Sequence, residues 1–347
     1  MTNGLRSYIG LCRWANVSKC SPQLCNYYCR VMSERKMAKV IYIIADSHSG
    51  STLFDMVCGT IPGVFSLGEI THFSWELYKD QNENSTSTAG RCSCLRKFNA
   101  CEAWGKILAV LNEKVGYDVY EDPYRFSLGF ASPLELHAFF LGIARRMIAS
   151  KFLYSAGSRL VSARYPASAA NSWLLFDIIG EVCGVTHVVD SSKCFVRMNM
   201  LHRMRPSDIR AVVLMRDVRG IADSAQSRSQ DPIAAARQWS WFYERALRTL
   251  RNAQADWLLV KYEDVCKDPA RERRRVAEFA GIDGVRGDCR IDTREHHLVA
   301  GNRVRYKGKL EIKEKDWRKH LSGDLEERIL KITERLFREY PTLEPSE

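Results

Sequence analysis

No stretch of this chain approaches the roughly 18–20 uninterrupted apolar residues that a helix needs to cross a bilayer, so a transmembrane helix is not expected. A clean secretory leader is also missing, because the apolar residues near the N-terminus are interrupted by Arg13, Asn16 and Lys19. The expected address is therefore cytoplasmic. The chain has no internal repeat and no low-complexity tract, which removes repeat architectures. A complete zinc-ligand pattern is lacking too. Such sites usually take four ligands in paired spacings, whereas Cys92, Cys94 and Cys101 supply three, so a metal there is open but not favoured. The twelve cysteines are too thinly spread over 347 residues for a disulfide-stapled mini-domain, and the scattered ones read as buried free thiols.

What is present is an ordinary globular composition, with 46% hydrophobic and 27% charged residues, long enough for one large domain or two small ones. The formal net charge of +11 favours anionic partners, although solvated surface charge alone would produce it as well. Much of the excess is local. Residues 1–38 carry Arg6, Arg13, Lys19, Arg30, Arg35 and Lys36 against Glu34 alone. This segment lacks periodicity, and a basic targeting extension, a disordered tail or an alternative start at Met32 or Met37 all fit it. No basic patch is interleaved with aromatics, so nucleic acid is not the expected partner.

From residue 39 the pattern changes. KVIYIIAD (39–46) is a short β-branched run that reads as a strand buried on both faces. Further strands are expected at VFSLGE (64–69), Val185–Asp190, Ile209–Met215 and Trp257–Tyr262. Helical spacing marks 169–182, 232–253, a segment opened by Pro269, and 324–340. Residues 79–90 read as a polar loop. Residues 103–164 read as a mostly helical insertion, part of a lid over an acceptor. Apolar strands alternating with helices predict an α/β fold: a P-loop-type three-layer sandwich with a mostly parallel central sheet and helices on both faces, spanning 39–345.

The polar motifs fall just after these strands, where such sheets bind ligands. The first strand ends in Ser47-His48-Ser49-Gly50-Ser51-Thr52 and a helix follows. A strand, a small-residue loop and a helix N-terminus together form a phosphate cradle: the small residues admit the ligand to the backbone amides, and Ser51 and Thr52 add hydroxyls. A plain helix cap is the alternative reading. The nucleoside triphosphatase loop G-x-x-x-x-G-K-[ST] is not matched. Ala45 stands at its first glycine and Ser51 at its lysine, so magnesium-dependent triphosphate chemistry is disfavoured.

The segment DSHSGSTLFDMVCGTIPGVFSLGE resembles the 5′-phosphosulfate-binding segment of P-loop sulfotransferases, the bacterial-type members and, more distantly, the tyrosylprotein sulfotransferases. Those loops commonly carry Lys or Arg where this chain has His48. Arg216-Asp217-Val218-Arg219-Gly220 with Ser224 is similar to the family's 3′-phosphate motif, which implies charged contacts from Arg216 and a hydroxyl from Ser224. Lys261-Tyr262-Glu263-Asp264 followed by Asp268-Pro269 resembles the segment in which Tyr262 would meet the adenine, with Glu263 and Asp264 structural. Asp190-Ser191-Ser192-Lys193 resembles a stretch whose lysine reaches the transferring sulfuryl group. Glu69 aligns with a catalytic carboxylate. Arg303 and Arg305, in a glycine-containing basic segment, are expected near the 3′-phosphate. Cys92-Ser93-Cys94 and Trp104 resemble a further stretch of the bacterial-type members, read as structural.

The resemblance implies a transferase that moves a sulfuryl group from 3′-phosphoadenosine 5′-phosphosulfate (PAPS) to an acceptor hydroxyl, with Glu69, Lys193 and His48 as catalytic groups and no metal required. The acceptor and the oligomeric state are not legible. A kinase-like phosphotransferase and a non-catalytic anion- or nucleic-acid-binding protein are the alternatives.

Overall fold

A computed structural model describes residues 37–82, 90–130, 135–313 and 316–343. The basic segment up to residue 36 lies outside these residues, as do positions 83–89 of the expected polar loop. The central sheet has five strands: β1 (Lys39–Ile44), β2 (Val64–Ser66), β3 (His187–Lys193), β4 (Ile209–Met215) and β5 (Trp257–Lys261). Their spatial order is β2-β3-β1-β4-β5, and every pairing is parallel. β1 is central, with β3 on one side and β4 on the other. The chain leaves β1 toward β2, returns through β3, then crosses to β4, so the order reverses beside β1. The carboxyl ends of β1, β3 and β4 therefore open on one crevice, the usual ligand position in such sheets.

Alternation along the strands sorts the core into two apolar layers. Val40, Tyr42 and Ile44 join Ala211, Val213 and Met215 on one face, while Ile41, Ile43 and Ala45 join Val212 and Leu214 on the other. The second face is covered by α1 (Ser51–Gly59) and, after β5, by the helix Pro269–Ala280, through Phe54, Met56, Val57, Val276 and Ala277. α2 (Phe73–Asn82) follows β2; α3 (Glu102–Val115), α4 (Glu135–Ile148), α5 (Tyr154–Arg164) and α6 (Pro166–Cys183) precede β3. α7 (Phe195–Met204) links β3 to β4. α8 (Val218–Gln226) and α9 (Pro232–Ala253) link β4 to β5. α10 (Tyr262–Lys267), α11 (Pro269–Ala280), a two-stranded antiparallel pair β6 (Ile291–Asp292) and β7 (Lys309–Leu310), and α12 (Gly323–Glu339) complete the chain. The three-layer α/β sandwich expected from the sequence is observed.

Three boundaries differ. β2 ends at Ser66, so Glu69 stands beyond the strand, in a turn held by Val299 N–H to Leu67 O (2.9 Å) and Glu69 N–H to Ala300 O (3.2 Å). α2 extends to Asn82, into the expected polar loop; Lys79 pairs with Glu76 at 3.1 Å across one helical turn. The stretch expected as an insertion is divided. α3 is built into the core, with Trp104, Ile107 and Leu111 fully buried. α5, by contrast, leaves Leu160 on the surface near exposed-side residues Phe152 and Leu153. Among the described residues, no helix is long and apolar enough to cross a membrane.

Candidate active site

The loop between β1 and α1 is built for close approach to its backbone. Gly50 is the N-cap of α1 at φ 80°, and no side chain caps the helix there. A helix leaves its first N–H groups without intrahelical acceptors, so the amides at the start of α1 face the crevice with the positive end of the helix dipole. A Cβ on Gly50 would lie 2.3 Å from the Tyr262 ring, so this position excludes any side chain. His48 is also left-handed, at φ 63°, a conformation uncommon outside glycine.

The loop is fixed from below. The Tyr243 hydroxyl, fully buried on α9, donates to Leu214 O (2.6 Å) and accepts from Asp46 N–H (3.3 Å), and it lies 3.4 Å from Ser49 Oγ. Ser49 is therefore a buried support that presents its backbone. Ser51 and Thr52 are nearly buried at the helix start, and the Thr52 hydroxyl accepts from Asn302 N–H (2.9 Å) while keeping its own hydrogen to donate. Ser47 and His48 are exposed at the tip.

Four cationic or polar groups converge on this loop. Arg216, at the end of β4, donates to His48 O (3.1 Å) and lies 5.0 Å from the Tyr262 ring centre. Its own backbone is pinned by Trp239 Nε1 donating to Arg216 O (3.0 Å), and the next amide, Asp217, donates to Glu263 (2.9 Å). Gly220 admits the guanidinium across the start of α8; a Cβ there would meet Arg216 Nε at 3.0 Å. Ser224, on the same helix, accepts from Arg228 Nη1 (2.6 Å). Although His48 is exposed, partial desolvation of its imidazole pushes it below its ordinary value of 6.5, and the positive charges of Arg228, Lys193 and Arg216 push it lower still. His48 is thus neutral at neutral pH, a hydrogen-bonding group within a field supplied by its neighbours.

Lys193 and Glu69 meet across the crevice. The pairing of β1 with β3 slips between Tyr42 and Ile44, and this bulge, together with φ 66° at Lys193, turns that side chain toward the mouth. Lys193 Nζ lies 2.7 Å from Glu69 Oε1, and the other carboxylate oxygen is 3.7 Å from His72 Nε2. The turn carrying Glu69 is tied to α1 by Asp55, which accepts from Gly68 N–H (3.1 Å). Burial pushes the Asp55 carboxyl up to about 7.

Lys193, Arg216 and Arg228 thus bear on His48 in the β1–α1 loop, with Glu69 held by Lys193, Ser224 by Arg228, and the Tyr262 ring set against Gly50. Arg303 is exposed in the turn next to Asn302, whose amide reaches Thr52. Arg305 stands apart from the other expected anion ligands: it is buried, donates to Val299 O and lies 3.3 Å from Glu76, so its charge is spent on the scaffold. Two groups escaped sequence reading. Arg228 lies in an exposed polar run without a motif. Tyr243 sits among α9 aromatics with helical spacing, which signals core and not a loop support. A cavity of about 420 Å³ opens beside Arg216, lined also by Lys261, Cys266, Lys267 and Trp317.

The three clustered cysteines acquire a partner that their spacing did not reveal. His297 packs onto them from 196 residues beyond Cys101, so Cys92, Cys94, Cys101 and His297 form one group with ligand atoms within 4.8 Å of one another. The expectation of only three donors is corrected here: the fourth comes from a segment brought in by the tertiary fold.

No family model matches the chain, and no curated protein matches it. Among solved structures it is similar to the sulfotransferase domain from the curacin biosynthetic pathway, with 14% identity, 87% of this chain and 98% of that chain covered, and a TM-score of 0.43. It is also similar to the sulfotransferase STF9 from Mycobacterium avium, with 13% identity, 92% and 81% covered, and a TM-score of 0.44. A third is the sulfotransferase domain of the Synechococcus PCC 7002 olefin synthase, with 15% identity, 87% and 96% covered, and a TM-score of 0.40. What the crevice can do chemically is set by its own residues.

Proposed function

We propose that this protein transfers a sulfuryl group from PAPS to an acceptor hydroxyl. The observation that carries the reading is the convergence of Arg216, Lys193 and Arg228 on a helix-capping phosphate loop that has no lysine of its own. Such a loop suits a donor with two separate phosphate groups, because the loop amides meet one anion while Arg216 and Ser224 stand ready for another. Tyr262 offers a ring face to the nucleoside, and Arg303 a further charge from the neighbouring turn.

In the reaction the acceptor oxygen attacks sulfur in line. The S–O bond to the 5′-phosphate breaks, and its electron pair leaves on the phosphate oxygen. Glu69 receives the acceptor proton. Lys193 has three donors, so it can pair with Glu69 while also facing the sulfuryl oxygens. Loop amides at 49–52 and a protonated His48 offset the charge developing on the leaving phosphate. Positioning and electrostatics dominate, as in phosphoryl transfer.

The state of His48 gives a pH test. Its value is depressed in the free protein, and a bound phosphate would raise it, so binding takes up a proton. Affinity for the desulfonated nucleotide is expected to rise as pH falls from about 7.5 to about 6, more steeply than in His48→Ala. Calorimetric titration at both pH values measures this. Parallel slopes for the two proteins would remove His48 from the anion site.

The reading itself is tested by transfer of labelled sulfate from PAPS to a panel of saccharide, lipid, tyrosine-peptide and small-molecule hydroxyls. Incorporation into at least one class, lost in Glu69→Gln, is the expected result. No transfer to any class, together with no binding of the desulfonated nucleotide, would overturn it.

A further inference from the structure

Cys92, Cys94, Cys101 and His297 lie away from the proposed chemistry, between the loop after α2 and the segment that follows β6. Their separations are 3.6 Å from Cys92 Sγ to Cys101 Sγ, 3.6 Å from Cys94 Sγ to Cys101 Sγ, 3.6 Å from Cys92 Sγ to His297 Nδ1 and 3.2 Å from Cys101 Sγ to His297 Nδ1. Zinc bonds of about 2.3 Å to sulfur and about 2.0 Å to nitrogen place neighbouring tetrahedral ligands roughly 3.3–3.8 Å apart; the three 3.6 Å separations lie in that range, the 3.2 Å one falls just short of it, and all four ligand atoms lie within 4.8 Å of one another. At 3.6 Å the sulfurs are not joined by a disulfide, whose S–S bond is about 2.0 Å, and all three cysteines are free.

The surroundings are those of a built site. Cys92 and Cys101 are buried, and Cys94 is half-buried. The chain turns tightly between Cys92 and Cys94, with Leu95 N–H donating to Cys92 O (2.8 Å) and Leu95 at φ 70°. The Ser93 hydroxyl donates to His296 O (2.6 Å) and accepts from Leu298 N–H (2.9 Å), which locks the histidine strand to the cysteine turn. Fully buried Trp104 donates to His297 O (2.6 Å), and Phe65 stacks on the His297 ring at 6.0 Å. Second-partner hydrogen bonds and apolar walls of this kind hold metal ligands in place and exclude water.

We propose that these four residues bind a structural zinc ion. Three thiolates and one imidazole form a closed tetrahedral set with no open position, so the ion's role is to hold the fold. Its placement suggests what it holds. Three residues beyond His297, Ala300 O accepts from Glu69 N–H, and two residues further Asn302 N–H reaches Thr52. The ion would thereby pin the segment that buttresses both the Glu69 turn and the phosphate loop. The inference stands on the cluster's geometry and is independent of the proposed reaction.

The test is metal content. The full chain, purified under reducing conditions without chelator, is expected to carry one zinc per chain by elemental mass spectrometry, released when a mercurial reagent titrates the thiols. Cobalt substitution is expected to give the intense d–d absorption of a tetrahedral thiolate site. Cys94→Ser, at the half-buried ligand, is expected to lose most of the zinc and to melt at lower temperature, whereas Cys289→Ser keeps both. A metal-free wild-type chain that takes up no added zinc or cobalt would overturn the proposal, whether its thiols are free or paired by oxidation. Full zinc occupancy in Cys94→Ser together with Cys101→Ser would overturn this ligand assignment.

Discussion

Lys193→Ala is expected to slow sulfuryl transfer roughly 10²–10³-fold, with a smaller change in donor affinity. The expectation follows from where the ammonium sits. Lys193 ends β3 at a bulge, in a left-handed conformation, and meets Glu69 at 2.7 Å from the opposite side of the crevice. In the proposed reaction a cation there acts twice: it orients Glu69 through their pairing, and it faces the oxygens of the group in transit. Alanine removes both effects and leaves the loop amides and Arg216 to hold the donor, so the loss falls mainly on the rate of the bound complex. Lys193→Arg keeps the charge and the pairing with Glu69 and is expected to recover part of the rate. Glu69→Gln should be impaired to a similar or greater degree, within the roughly 10²–10⁴-fold range of general-base losses. Single-turnover rates with saturating donor separate these outcomes. An unchanged rate in Lys193→Ala would make the ion pair a surface contact.

The second large effect is on stability and begins three residues before Lys193. Asp190 is fully buried on β3, and its carboxylate oxygens are satisfied by Arg197 Nη2 (3.0 Å) and Ser192 N–H (2.9 Å). Arg197 is itself fully buried and also donates to Leu128 O (2.6 Å) and Ser172 Oγ (2.9 Å). Removing one partner of such a pair leaves a charge stranded in a low dielectric, so Arg197→Met is expected to cost about 3–5 kcal/mol. Adding Asp190→Asn removes the stranded charge and should recover part of that loss, a non-additivity that a double-mutant cycle resolves. Urea unfolding midpoints provide the measurement. A single-variant cost below about 1 kcal/mol would mean that water reaches the pair. Because Asp190 also orients Ser192, the pair sets the turn from which Lys193 projects.

Much of this architecture was legible in the sequence because buried parallel strands leave uninterrupted β-branched runs, and because phosphate loops follow such strands. KVIYIIAD and IRAVVLM marked β1 and β4, and the segments after them meet, with Arg216 donating to His48 O. The failures share a physical cause, namely partners distant in sequence. His297 could not be matched to the cysteines by spacing, since tertiary contacts bring it there: the Gly68–Ala300 bridge and the bonds of Ser93 and Trp104 to residues 296–298. Arg305 reads as a free cation beside a glycine, yet Glu76 on α2 claims it. Tyr243 reads as core, and its hydroxyl is what anchors the loop. Glu69 was expected at a strand end, but the strand closes three residues earlier and a carbonyl from the C-terminal segment holds the turn in its place.

The central claim is that the crevice holds a nucleotide bearing two separate phosphate groups. Thermal stabilisation by 3′-phosphoadenosine 5′-phosphate, compared with AMP, ATP with magnesium, and NAD, addresses it most directly. The expected result is a rise in melting temperature with the bisphosphate that exceeds the other three, and a loss of the margin over AMP in Arg216→Ala. Equal or greater stabilisation by magnesium-ATP, or no response to the bisphosphate, would contradict it.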